Sequence, residues 1–118
     1  MPESIKSIGQ WVFQWCDQLE HVTLPAYITE LEAGLFSHCE RLEYLIIPEK
    51  VTAIRTSAFL GADVWVIKIP KSVDYISEDA FENCDPFYIV VDENSYAESY
   101  CRKKGLSFEY EDNYGFLP

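Results

Sequence analysis

Positive charge is scarce in this chain. Nine Lys and Arg stand against twenty Asp and Glu, for a formal net charge of −11. A nucleic-acid binder needs a Lys/Arg face for phosphates, and docking on anionic lipid needs one too, so neither partner is expected. Long apolar runs are also missing. Residues 87–91 form one of the longest, far too short for a bilayer, and no membrane insertion is expected. The opening MPESIKSIGQ has no basic n-region and no apolar h-region, so no signal peptide is read in it. Histidine occurs twice, at His21 and His38. No H-E-x-x-H, C-x-x-C, G-x-G-x-x-G, P-loop or EF-hand pattern is present. The acids are scattered singly, which leaves paired-carboxylate catalysis without support. The chain is therefore expected to carry no catalytic residues, no metal and no cofactor.

What the chain has is apolar and aromatic residues, 48% and 15% of the total, and they recur with a period. Phenylalanines fall at Phe13, Phe36, Phe59 and Phe81, in steps of 23, 23 and 22 residues. Three places further on come Cys16, Cys39, Ala62 and Cys84, and five places before each Phe come Ile8, Leu31, Ile54 and Ile76. Pro25, Pro48 and Pro70 close three of the copies. A period of this length held at several positions is the mark of a stacked repeat array. His21 and His38 fall in different halves of successive repeats, so a shared metal site is not expected.

Each repeat reads as two halves. In Val73–Cys84 the apolar residues Ile76, Ala80, Phe81 and Cys84 recur at helical spacing behind Ser77, which predicts a turn and a short helix capped by Ser77. The second half, as in Leu19–Pro25, alternates like a strand and is stopped by proline. Repeats three and four are one residue shorter. This reading places the loss inside the strand half, between its first two core residues, with Trp65 and Phe87 as the first of them. Stacking is expected to build three ladders: the phenylalanines, the aliphatic set Ile8/Leu31/Ile54/Ile76, and Leu24/Ile47/Ile69/Val91 on the strands. Three of the four cysteines share one small-residue slot, where Ala62 also fits, so buried reduced thiols are expected although Cys16 and Cys39 fall within disulfide reach. Cys101 stands beside Arg102 and Lys103, which could lower a thiol pKa, but it is read as packed.

Beyond Val91 the period ends. Ser95 and Glu98 make a capping box, a helix is predicted to about Lys104 with Gly105 as its stop, and Leu106–Tyr110 alternates as a strand. The expected organisation is four repeats in 1–94 (about 2–24, 25–47, 48–69 and 70–91), then a cap helix, strand and tail over 95–118. The tail, 111–118, is too apolar to be expected to float free.

The motif I-x-x-I-G-x-x-x-F-x-x-C-x-x-L-x-x-V-x-L-P, read from Ile5 to Pro25, resembles the BspA-type leucine-rich repeat, and NSYAESYCRKKGLSFEY resembles the segment that closes such arrays. The resemblance covers residues 2 to about 110. It implies an α/β repeat solenoid: a right-handed leucine-rich-repeat superhelix of about four coils with a C-terminal helix-strand cap. It further implies a non-catalytic protein-binding module engaged in surface adhesion or host interaction. A cell-surface or secreted location follows from the resemblance, while the lack of a signal peptide leaves a cytoplasmic one open.

Outward-facing strand positions supply the candidate contacts with a protein partner. One column is His21, Tyr44, Val66 and Tyr88, and the other is Thr23, Ile46, Lys68 and Val90. Tyr, Val and Ile gathered on one face mark an interaction surface. Trp11 and Trp15 replace small or polar residues of the other repeats. Three readings stay open for them: a makeshift cap over the open edge of the first repeat, an interface of a homo-oligomer, or the place where a longer array was cut. A self-associating structural domain, as a homodimer or a fragment of such an array, is accordingly the alternative to partner binding.

Overall fold

The computed structural model describes residues 8–84, 86 and 88–110; the expectations for Ile5, Phe87 and the tail lie outside these. Seven strands and one helix follow in the order β1 (Glu30–Leu31), β2 (Leu42–Ile46), β3 (Ala53–Ile54), β4 (Val64–Lys68), β5 (Tyr75–Ile76), β6 (Tyr88–Val91), α1 (Tyr96–Lys104) and β7 (Phe108–Tyr110). They make two parallel sheets, β1-β3-β5 and β2-β4-β6-β7. Equivalent residues one repeat apart pair directly, as in Leu31↔Ile54↔Ile76 and Leu45↔Ile67↔Ile89. Parallel neighbours with this register put like side chains above one another, which is how each ladder forms.

The phenylalanine column is continuous. Ring centroids lie 5.6 Å apart for Phe13–Phe36, 5.6 Å for Phe36–Phe59 and 5.0 Å for Phe59–Phe81, with near-parallel planes. Tyr100 of α1 closes it from 6.1 Å. Its hydroxyl donates to the Ser77 carbonyl at 2.8 Å, so the one polar atom this large ring carries inward is satisfied. Ile28, Leu31, Ile54, Ile67 and Ile69 are among the fully enclosed residues around the column.

The helical halves expected in the repeats are not helices. In 32–39, amides alternate between two destinations. Leu35, Ser37 and Cys39 donate three residues back, to Glu32, Gly34 and Phe36, while Gly34, Phe36 and His38 donate to Thr56, Ala58 and Leu60 of the next repeat. An α-helix would use every amide internally. Stacked turns instead spend half of them on holding repeats together. A left-handed residue stands at two points of the first three copies, Trp11, Gly34 and Ser57 in one column and Trp15, His38 and Gly61 in the other, and φ is positive at Asn83 alone of the two points in the fourth. Ser77 is not a helix cap; its hydroxyl donates to Asp79 at 2.6 Å.

The shortened repeat also differs from expectation. Leu42 pairs with Val64 and Tyr44 with Val66, so strands β2 and β4 match without offset. The missing residue therefore lies before the strand, between Ala62 and Val64. Val64 takes the core position, and Trp65 is 61% exposed.

The terminal helix follows its caps. Ser95 accepts the Glu98 amide at 3.1 Å, Glu98 accepts the Asn94 amide at 2.6 Å, and Gly105 ends the helix with φ 72°. Ala97 and Cys101 are fully buried against the last repeat.

Candidate functional site

Two columns cross the four-stranded sheet. Tyr44, Val66 and Tyr88 pair in a row that His21 joins through a single bridge to Tyr44; Ile46, Lys68 and Val90 pair in the next, which continues to Glu109. His21 and Thr23 are exposed, and Tyr44, Ile46, Lys68 and Tyr88 are half-buried. Val66 and Val90 differ, with 4% and 0% exposure. Val66 has Tyr44 and Tyr88 on either side, and Val90 has Lys68 and Glu109. On strands about 4.8 Å apart, a short branched side chain between two longer ones is closed over. These two valines support the face without presenting it.

The exposed part of the columns borders a groove of about 830 Å³, whose walls include Val22, Tyr27, Ile46 and Pro48, with Thr23, Tyr44, Glu49 and Lys50 at its polar points. Lys50 stands over the Tyr27 ring at 5.8 Å. An apolar trough with a few polar groups has the make-up of a site that takes up a side chain or a small ligand. Tyr27, Glu49 and Lys50 were not among the sequence candidates. They lie just past the prolines that close the repeats, on turns whose direction periodicity does not encode.

Glu20, His21 and Glu43 bring three ligand atoms within 4.8 Å of one another, all exposed. His21 Nε2 lies 3.3 Å from Glu43 Oε1 and its ring 5.3 Å from that of Tyr44. His38 is elsewhere, stacked on Trp15 at 4.1 Å, so the histidines do not meet.

Trp11 and Trp15 are 40% and 59% exposed, with Val12 between them at 51%. Their rings do not fold over the open edge of the first repeat. Trp11 lies so close above Gly34 that a Cβ there would meet its Cε3 at 1.9 Å. Both rings lean onto the second repeat because their left-handed backbone aims them along the stack.

The thiols are quiet. All four described cysteines are free. Burial pushes Cys39 up to about 11 and Cys101 up to about 12, so the basic neighbours of Cys101 do not activate it. No helix among the described residues is long and apolar enough to cross a membrane.

A family model described as BspA type Leucine rich repeat region (6 copies) matches residues 1–102. No curated protein and no solved structure matches the chain.

Proposed function

Since the chain belongs to the BspA-type leucine-rich repeat family, a family that suggests protein interaction, we propose that it is a non-catalytic protein-binding module. Its contact surface is the open face of the β2-β4-β6-β7 sheet. The fold that presents this face is read as a right-handed superhelix of about four coils spanning 1–94, closed by the helix-strand cap of 95–118. The observation that carries the reading is the groove beside Tyr44 and Ile46, where half-buried apolar side chains line a trough on a rigid sheet. Burying such surface drives association without any moving part. His21, Thr23, Lys68 and Tyr88 are its polar and aromatic surround. Adhesion to a surface or host protein is the biological setting that the family suggests.

The test is selection of random linear peptides on the wild-type protein, followed by affinity measurement on variants. Tyr44→Ser/Ile46→Ser should weaken the selected peptides about tenfold or more, as removal of central apolar anchors does. Tyr75→Ser, on the other sheet, should not. Equal binding by the first variant would reject the face.

A second reading, self-association, is favoured by the exposure of three large apolar residues, Trp11, Val12 and Trp15, within one turn stretch. Light scattering across a concentration range separates the two. A dimer lost in Trp11→Ser/Trp15→Ser would assign that surface to a second copy.

A further inference from the structure

Trp65 is the second residue of β4, one place before Val66 of the tyrosine column, and is 61% exposed. By the register of β2 and β4 its neighbour is Glu43, whose amide donates to the Glu20 carbonyl at 3.0 Å. Toward the first repeat, the row that holds Trp65 continues through the carboxylates Glu43 and Glu20. Trp65 also lines a second groove, of about 440 Å³, together with Glu40, Arg41, Glu43 and Asp63 over a floor of Leu42 and Val64. The three acids of that groove and Glu20 beside it are all exposed. Among the described residues Arg41 is the only cation lining the groove, and His21 faces Glu43 from its edge.

An indole face is the best aromatic acceptor for a cation, and carboxylates beside it add charge-assisted hydrogen bonds to a guanidinium. A chain of net charge −11 raises the local concentration of a basic segment around this groove. We propose that the partner on the open sheet face is a basic segment, and that it seats an arginine side chain on Trp65 between Glu43 and Asp63. This rests on the reading of that face as the contact surface and adds the chemistry of its partner. The apolar trough at Tyr44 and Ile46 would then take a neighbouring apolar side chain of the same segment. One end of the face selects charge and the other supplies burial.

The probe is the peptide acetyl-Gly-Arg-Gly-Arg-Gly-amide, with a twin carrying uncharged citrulline for arginine. Binding is followed by the three indole N–H signals in NMR spectra, assigned with Trp→Phe variants. The arginine peptide should move the Trp65 signal and leave those of Trp11 and Trp15 nearly in place, and the citrulline twin should move none. Glu43→Gln/Asp63→Asn and Trp65→Ala should each weaken binding by about fivefold. Glu82→Gln/Asp74→Asn removes the same charge elsewhere on the surface and should cost much less. The proposal is overturned if the arginine peptide moves no Trp65 signal up to about 10 mM, a concentration that detects even very weak binding. It is equally overturned if the twin binds as well, or if the remote pair of substitutions weakens binding as much as the groove pair. Failure here leaves the selected-peptide test with Tyr44→Ser/Ile46→Ser untouched, so the two readings fail separately.

Discussion

Trp15 lies flat on His38, ring centroids 4.1 Å apart and planes 10° from parallel, and both residues hold positive φ, 62° and 57°. His38 in turn covers Gly61, where a Cβ would meet its Nδ1 at 2.5 Å, as Trp11 covers Gly34. At Gly34 and Gly61 glycine stands where a ring from the preceding repeat leans in, whereas His38 meets the Trp15 ring face to face. Gly34→Ala should therefore lose the roughly 1–2 kcal/mol of a strained left-handed alanine, and more for displacing Trp11. In a Trp11→Ser background only the backbone part should remain. Denaturant midpoints in a double-mutant cycle measure the difference, and strict additivity would contradict the stacking.

The phenylalanine ladder should be weakest at its open end. Phe36 and Phe59 are fully enclosed between rings on both sides, so Phe→Ala there should cost about 3–5 kcal/mol. Phe13 is half-buried and, among the described residues, has a ring on one side only, so its truncation should cost on the order of half that. Thermal or urea unfolding of the three variants gives the ranking.

Acid should loosen the cap. Glu98 is buried, and its carboxylate accepts from Tyr110 at 2.6 Å, from the Asn94 amide at 2.6 Å and from Arg102 at 2.8 Å. Those hydrogen bonds, the tyrosine's first, hold its pKa below the ordinary 4.5. Asp79 is held down in the same way by Ser77 and Thr56. A depressed carboxylate contributes stability above its unfolded pKa and loses it as pH falls through the folded one. Glu98→Gln should be less stable than wild type at pH 7, and the gap should begin to narrow as pH falls below the unfolded glutamate value of about 4.3 and close as the folded carboxylate, held lower, protonates. Parallel stability–pH curves would show that Glu98 does not hold the cap.

Cysteine labelling should be ordered by burial. Cys39, Cys84 and Cys101 are enclosed, while Cys16 on the first repeat is half-buried. With Cys39 up at about 11 and Cys101 up at about 12, native protein treated with iodoacetamide at pH 8 should gain its first label at Cys16. Mass spectrometry after digestion reads the position, and early labelling at Cys101 would contradict the packing of α1.

The ladders were legible because period and apolarity coincide at Phe13, Phe36, Phe59 and Phe81, and α1 because Ser95, Glu98 and Gly105 are specific cap signals. The turn stack was not. Ile76, Ala80, Phe81 and Cys84 fit a helical face as well as successive turns, and only the amides of neighbouring repeats decide between them. Left-handed backbone at Trp11, Trp15 and Ser57 has no sign in residue type, whereas Gly34 and Gly61 advertise it and Asn83 and His38 do so weakly. The two-residue strands of the β1-β3-β5 sheet are too short to show alternation. Trp65 was misplaced because a large apolar residue beside a deletion resembles a core residue. Its exposure depends on the loss falling before β4 rather than within it.

If the β2-β4-β6-β7 face receives a partner, hydrogen exchange measured with and without a selected peptide will show where it sits. Because bound segments slow exchange where they cover backbone and quench local opening, protection is predicted over 43–46, 65–68 and 88–90. Protection confined to the turn stack at 33–38 and 56–61, with those strands unchanged, would contradict that placement.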